Sequence, residues 1–373
     1  MKTIGLIGWR GLVGSILLQR LQAEQTLRDC QVRFFSTSQS GTVVSPLDPS
    51  QSTTIYSAED LDALQAVDIL LTCQGSDYTQ RYYHTLRQRG WQGYWIDAAS
   101  TLRYASDSVI VLDPVNRLQI EAAITCGVKT FVGANCTVSL LLMALGGLFS
   151  HQLVEWISMA TYQAASGAGS VGLRELLQQL QQISFPDDCS CHQPLTSDLL
   201  LNLERQITTQ SRSGGLSSCH FGAPLANNLL PWIDGYLENG QSREEWKSQV
   251  EAQKILGLQQ PIPIDGLCVR VASLRCHSQA LTIKLKRDLP LATLEKIIVE
   301  HNPWVRLVDN YPRTTLQELT PIAVAGSLTI AVGRLHKLTL GPNYLSVFIV
   351  GDQLLWGAAE PLYRLLALLL GKL

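Results

Sequence analysis

One cysteine stands where a helix should begin. Residues 131–138 read Phe-Val-Gly-Ala-Asn-Cys-Thr-Val and run into Ser-Leu-Leu-Leu-Met-Ala-Leu. The apolar run predicts a strand, a small-residue turn ends it, and a long apolar helix follows. Asn135 is placed to cap that helix, leaving unpaired backbone N–H groups and the positive end of the helix dipole beside the Cys136 sulfur. That setting favours the thiolate, the nucleophilic form of cysteine. The plainer alternative is a small buried hydrophobe, the usual fate of a free cysteine.

A second stretch could hold a phosphate. Residues 3–14 read Thr-Ile-Gly-Leu-Ile-Gly-Trp-Arg-Gly-Leu-Val-Gly, followed by the helical pattern Ser-Ile-Leu-Leu-Gln-Arg-Leu. Strand, glycine turn and helix form the opening unit of a dinucleotide-binding fold, in which a pyrophosphate sits on the helix N-terminus. The spacing of Gly8, Gly11 and Gly14 is G-x-x-G-x-x-G rather than the commoner G-x-G-x-x-G. Position directly after the first strand therefore carries the assignment, against the alternative of a glycine turn with no ligand. The second predicted strand ends Phe34-Phe35-Ser36-Thr37-Ser38, with no acidic residue to accept from a ribose 2′-OH. Hydroxyls plus Arg10 suit a 2′-phosphate, so the expected cofactor is NADP.

The elements around these residues follow from the wider pattern. Strand-like runs at Gln31–Phe35, Asp68–Leu71, Tyr94–Asp97, Val109–Leu112 and Thr130–Val132 alternate with helical or polar segments, as in a parallel sheet flanked by helices. From Trp156 onward, β-rich runs at Leu267–Val271, Gln279–Lys286, Leu328–Leu335 and Tyr344–Val350 mix with helical stretches at Leu173–Ile183 and Ser242–Leu256. The expectation is an α/β protein with two domains. Residues 1–135 form a Rossmann-like dinucleotide-binding domain, to which a C-terminal helix in 357–373 returns. Residues 136–356 form an α+β catalytic and dimerisation domain with a mostly antiparallel sheet.

Bulk properties narrow the function classes. Of 373 residues, 16% are charged, well below the roughly 25% of ordinary soluble chains, and 46% are hydrophobic. Such a chain buries much of its surface, in large cores or in a subunit interface. A net charge of −2 argues against nucleic acid or an anionic membrane as partner. The longest apolar runs are too short to span a bilayer, and no signal pattern precedes the first strand. The expected location is the cytoplasm. Nine cysteines, an odd number in a large chain, suit reduced thiols. Cys189, Cys191 and His192 with Cys219 and His220 resemble zinc ligands, but the C-x-C spacing is tight for one metal, and no metal site is assigned.

Three motifs taken together resemble aspartate-β-semialdehyde dehydrogenases of the Gram-negative bacterial type. They are Gly8-Trp-Arg-Gly-Leu-Val-Gly14, Gly133-Ala-Asn-Cys-Thr-Val138 and Thr161-Tyr-Gln-Ala-Ala-Ser-Gly167. The stretches 240–247, 266–270, 274–277 and 351–360 extend the match over essentially the whole chain. The resemblance implies acyl transfer through a thiol, in which aspartyl phosphate is reduced with NADP to aspartate semialdehyde and inorganic phosphate. It implies a homodimer, and a place in the biosynthesis of lysine through diaminopimelate, and of threonine, methionine and isoleucine. Cys136 would be the nucleophile, His277 the general acid/base and Gln163 the orienting group. Arg270 would clamp the substrate α-carboxylate and Glu244 its α-amino group, while Arg103 and Lys247 would hold phosphate. Gly8, Arg10, Gly11, Leu12, Val13, Gly14, Thr37, Ser38, Gln74, Ser166, Gly167 and Gln353 would contact the cofactor.

The residue spacings bear on these roles in two places. Glu244 and Lys247, three apart on a helix, share a face, which is also the spacing of an ordinary surface ion pair. Arg270 and His277, seven apart, would point to opposite faces of one strand, so a turn or bulge must separate them. Two rivals stay open: reduction of another acyl phosphate such as N-acetylglutamyl phosphate, and a non-catalytic NADP-binding or redox-sensing protein.

Overall fold

The computed structural model of the protein describes residues 1–46, 52–183 and 196–373. Among the described residues, the first third builds strands β1 (Lys2–Ile7), β2 (Cys30–Ser36), a short ribbon of β3 (Val43–Val44) with β4 (Thr53–Thr54), then β5 (Tyr56–Ser57), β6 (Ile69–Thr72), β7 (Tyr94–Asp97), β8 (Ser108–Val111) and β9 (Thr130–Gly133). Seven of them form one sheet in the order β5-β2-β1-β6-β7-β9-β8. Every pairing in it is parallel. The strand order reverses at β1, and a crevice outside the carboxyl ends at such a point is where ligands bind in sheets of this kind. The Gly8–Gly11 turn leaves β1 at that crevice and opens the helix Leu12–Ala23.

The second sheet corrects the sequence reading. Its strands are β10 (Val154–Gln163), β11 (Leu229–Leu230), β12 (Ile264–Val271), β13 (His277–Leu285), β14 (Val305–Leu307), β15 (Ile330–Lys337) and β16 (Tyr344–Gly351). Their order is β11-β12-β10-β13-β16-β15-β14. The sheet is mixed, not mostly antiparallel, because β12 runs parallel to β10 and β14 parallel to β15. Parallel neighbours need a long crossover. The chain between β10 and β12 supplies one through the helices Gly169–Gln182, Ser197–Arg212 and Arg243–Leu256. Strand-like composition shows that a run is extended but not which neighbour it joins, and β10, the strand between β12 and β13, was not among the runs read from sequence.

That mixed pairing positions the chemistry. The parallel register of β10 and β12 sets Gln163 beside Arg270 at their carboxyl ends. Antiparallel β13 begins with His277 at the same edge. Arg270 and His277 therefore lie on different strands, separated by a reversal in which Cys276 takes a left-handed φ of 73°.

Between the sheets lies the helix Cys136–Ser150, buried at every position from Thr137 to Phe149. A helix apolar on all sides has to be enclosed. Each fully buried leucine here contributes roughly 1.5–3 kcal/mol, so the first residue of this helix sits on a rigid base. After β16 the chain makes a wide π turn at Leu355–Ala359 and continues as the helix Glu360–Leu369. Leu362, Leu365 and Leu366 of that helix share a core with Ile4, Leu6, Leu17 and Phe131. Arg364 fixes it to Asp113 through a bidentate pair at 2.7–2.9 Å.

Candidate active site

Cys136 is the first residue of its helix. Asn135 caps it, its side-chain oxygen accepting from the backbone N–H groups of Thr137 at 2.9 Å and Val138 at 3.3 Å. The cap is itself held twice, its amide nitrogen donating to Glu244 at 2.9 Å and its backbone N–H donating to Glu251 at 2.6 Å. Gly357 closes the other side. A Cβ built on it would fall 2.7 Å from the Cβ of Cys136 and 3.0 Å from its Cα, so only glycine leaves the Cys136 side chain its place.

A pocket of about 340 Å³ opens on the sulfur, lined among others by Arg103, Gln163, Ser166, Gly167, Asp234, Glu244, Lys247, Arg270 and Gln353. The protonation state differs from the sequence expectation. Burial pushes the Cys136 thiol up to about 12 and Glu244 adds to this, while Arg270, Arg103 and Lys247 pull it down. Desolvation outweighs the cations and favours the thiol, a form that would need a proton acceptor to act as a nucleophile.

His277 is completely buried. Its Nδ1 accepts the Ala164 N–H at 3.0 Å, which places the ring hydrogen on Nε2. Nε2 has no hydrogen-bond partner among the described residues. A buried polar atom without a partner calls for one from a ligand. Gly167 makes the room, since a Cβ there would lie 3.0 Å from that Nε2 and 2.7 Å from Arg270 Nη1. Burial first, then the Arg270 charge, hold His277 down at about 3.

The cations divide into bound and waiting. Arg103 donates to the carbonyls of Gly133 at 2.7 Å and Ala134 at 3.2 Å, and to Glu251 at 3.1 Å. A further contact to the Ala98 carbonyl at 3.5 Å leaves it little donor capacity toward the pocket. Lys247 donates to Asp234 at 2.6 Å and Glu244 at 3.1 Å. This Glu244–Lys247 pair is buried rather than a surface pair. Arg270 differs. It donates to the Ala164 carbonyl at 2.8 Å and has no carboxylate in reach among the described residues. Gln163 reaches Glu244 at 3.3 Å through its amide nitrogen, leaving its amide oxygen toward the pocket.

Six of the residues expected to contact a cofactor lie together in a separate crevice. Gly8, Arg10, Gly11, Thr37, Ser38 and Gln74 line a second cavity of about 330 Å³ at the carboxyl ends of β1, β2 and β6. Gly8 has a φ of 71°. A Cβ on Gly14 would lie 2.2 Å from the Gly8 carbonyl oxygen, so the turn packs directly on the helix start. Leu12 opens that helix, and Val13, one residue on, lines the Cys136 pocket. The glycine turn thus connects the two cavities, as a dinucleotide requires. Arg10 donates to Ser36 at 2.9 Å and Ser38 at 3.2 Å, an acid-free cluster that fits a 2′-phosphate. At the other end Gln353 donates to Ser166 at 2.5 Å and accepts the Cys276 N–H at 2.7 Å.

Three residues of the site were missed from sequence: Glu251, Asp234 and Gly357. Glu251 had a signal, standing seven after Glu244 on the same helical face. Cys189, Cys191 and His192 lie outside the described residues, and Cys219 is exposed.

Comparison with known proteins agrees with this geometry. A family model described as "Semialdehyde dehydrogenase, NAD binding domain" matches residues 3–123. Another, "Semialdehyde dehydrogenase, dimerisation domain", matches residues 145–356. The chain is similar to an aspartate semialdehyde dehydrogenase structure from Francisella tularensis, with 45% identity and a TM-score of 0.93 over 99% of this chain and 100% of that one. It shares its fold with aspartate semialdehyde dehydrogenase II complexed with ASA from Vibrio cholerae, at 22% identity and TM-score 0.79, covering 100% of this chain and 98% of that one. It also shares it with the Candida albicans enzyme with NADP, at 15% identity and TM-score 0.66, over 100% of both chains.

Proposed function

The chain belongs to the aspartate-semialdehyde dehydrogenase family, and we propose that it interconverts L-aspartate 4-semialdehyde plus inorganic phosphate with L-4-aspartyl phosphate, using NADP and a thioester on Cys136. The observation that carries this reading is the buried Arg270 guanidinium, without a carboxylate partner, sharing one pocket with a helix-starting cysteine and with Glu244. A guanidinium matches a carboxylate bidentately, and Glu244 is the acid for the ammonium group on the same α-carbon.

In the reductive direction the Cys136 sulfur attacks the acyl carbon, a C–S bond forms, and the bond to phosphate breaks with its electron pair leaving on phosphate. The cofactor, bound in its reduced form NADPH, would supply the hydride that turns the thioester into a thiohemiacetal. Loss of the hydroxyl proton then breaks the C–S bond, releases the aldehyde and returns a proton to sulfur. As the His277 ring stands, Nε2–H is a hydrogen-bond donor, suited to the carbonyl oxygen as it gains negative charge. Proton exchange with sulfur uses the other tautomer, which gives up the Ala164 N–H. Lys247 is the residue for the departing phosphate, and Arg103 supports it mainly by charge.

The finer readings follow the same logic. Arg10 with Ser36, Thr37 and Ser38 supports NADP over NAD. The proposed domains are residues 1–135 with the 357–373 segment, and residues 136–356. A homodimer is supported by the open face of the second sheet, which turns Trp156, Tyr162, Leu267 and Phe348 outward. We place the enzyme in the cytoplasm, on the route to lysine, threonine, methionine and isoleucine.

The test is phosphate-dependent NADPH formation from aspartate semialdehyde, with N-acetylglutamate semialdehyde as comparator. Acylation removes the charge that Glu244 would meet, so the acetylated compound should be the poorer substrate. Cys136→Ala should abolish turnover and leave NADP binding intact. Preference for the acetylated compound would replace this reading with the other acyl phosphate, and equal specificity constants for NADP and NAD would remove the Arg10 assignment.

A further inference from the structure

Lys247 is surrounded by the wrong sign of charge for a group that receives phosphate. Its ammonium donates to Asp234 Oδ2 at 2.6 Å and to Glu244 Oε2 at 3.1 Å. Two carboxylates on one ammonium leave the cluster at a net charge of −1, and of the ammonium's three donors one remains. The two acids are not equivalent. Glu244 is buried, sits on the same helix as Lys247, and is fixed by Asn135 and Gln163 as well. Asp234 reaches in from the Pro231–Gly235 loop, with 38% of its side chain exposed. Its backbone is left-handed, with φ at 72°. Its other bonds are local: Oδ1 accepts the Gly235 N–H at 2.7 Å, and its carbonyl accepts the Trp232 indole N–H at 2.8 Å. Beyond its own loop, Lys247 is its hydrogen-bonding partner among the described residues, and the Arg243 charge also acts on it.

We propose that Asp234 is a resident competitor for the Lys247 ammonium, which an incoming phosphate oxygen displaces. The inference rests on the reading of Lys247 as the phosphate residue. In this role Asp234 does two things. It keeps the lysine stretched along the pocket wall, and it sets a threshold that an anion must exceed to bind there. A phosphate, doubly charged for much of the neutral range and rich in acceptors, exceeds it. The singly charged α-carboxylate of the substrate does not, and is left to Arg270, to which no acid is hydrogen-bonded among the described residues. Asp234 thereby helps to keep the two anionic groups of the reaction in separate places.

The experiment is steady-state kinetics in the phosphate-consuming direction for Asp234→Asn and Lys247→Met. Asparagine tolerates the left-handed backbone and keeps the side-chain shape. Asp234→Asn should lower the KM for phosphate about two- to five-fold, the size expected of a part-exposed ion pair. The KM values for aldehyde and NADP should hold, and the gain should shrink as salt screens the charges. An unchanged or raised phosphate KM would overturn the competitor role. Lys247→Met separates the two readings. If it raises the phosphate KM while Asp234→Asn fails to lower it, only the competitor role falls. If it leaves the phosphate KM unmoved, the assignment of Lys247 itself falls.

Discussion

Replacing Glu251 with glutamine should disable the site from behind. Glu251 is fully buried and does not itself line the pocket, but it holds two residues that do. Its Oε1 accepts from Arg103 at 3.1 Å and from the Tyr104 hydroxyl at 2.9 Å, while Oε2 accepts the Asn135 N–H at 2.6 Å. Glutamine has the same shape but carries two donors in place of one oxygen. In either rotamer a donor then faces a donor, and Arg103 loses its carboxylate partner. Removing one partner of a buried pair costs about 3–5 kcal/mol, a large share of the roughly 5–15 kcal/mol that holds a protein folded. The activity cost follows from Asn135, whose neighbour Cys136 is the proposed nucleophile. A shift near 1 Å at a reacting atom lowers the rate by about 10²-fold. Thermal unfolding and kcat/KM of Glu251→Gln measure both effects. A double-mutant cycle with Arg103→Leu should show coupling of about 0.5–3 kcal/mol, since the two changes remove one pair. Wild-type unfolding temperature with wild-type turnover would refute the reasoning.

Three further outcomes follow from the same geometry. Gly357→Ala puts a methyl group 2.7 Å from Cys136 Cβ, so it should cost about 1–3 kcal/mol of stability and lower kcat, as thermal melts and turnover will show. Arg270→Lys should raise the KM for the aldehyde substrate at least tenfold while sparing phosphate, because one ammonium cannot make two parallel bonds to a carboxylate; an unchanged KM would move the carboxylate site elsewhere. The pH profile should differ between kcat/KM and kcat. Burial and, after it, the Arg270 charge hold His277 down in the free protein; a bound carboxylate cancels the charge part, so the acid limb in kcat should lie at higher pH than in kcat/KM.

What was legible in the sequence was local. The Asn135 cap, the glycine turn after β1 and the shared face of Glu244 and Lys247 all depend on residues within a few positions of one another, and all are present. What was not legible depends on neighbours brought in from far along the chain. The parallel register that sets Gln163 beside Arg270 joins segments a hundred residues apart, and hydrophobic period says nothing of it. The state of Cys136 was misread for the same reason. A helix start favours thiolate, but sequence does not show how deeply the sulfur will be buried or that Glu244 will stand nearby. Arg103 was expected, by resemblance, to hold phosphate, yet its donors turn mostly to the Gly133 and Ala134 carbonyls and to Glu251.

These departures converge on one property of the pocket. At rest its groups oppose chemistry: the cysteine is a thiol, the imidazole is neutral with its hydrogen on Nε2, and Lys247 is occupied by acids. Arg270 is the exception, a cation with a backbone carbonyl in place of a counter-charge. On the proposed reading the substrate carboxylate supplies that counter-charge. Its arrival relieves the repulsion that keeps His277 from accepting a proton, and phosphate, on reaching Lys247, adds negative charge that favours the imidazolium further. Cancelling Arg270 also makes the thiolate harder to form. Proton transfer from Cys136 to His277 therefore becomes easier on the accepting side and harder on the donating side. The acceptor change is the one that can count, because a thiol can lose its proton as the C–S bond forms and never has to stand as a free thiolate. An imidazole has to hold the proton it takes. On the proposed reading, burial keeps the sulfur protonated, and the Arg270 charge keeps its proton acceptor unready until a substrate carboxylate arrives.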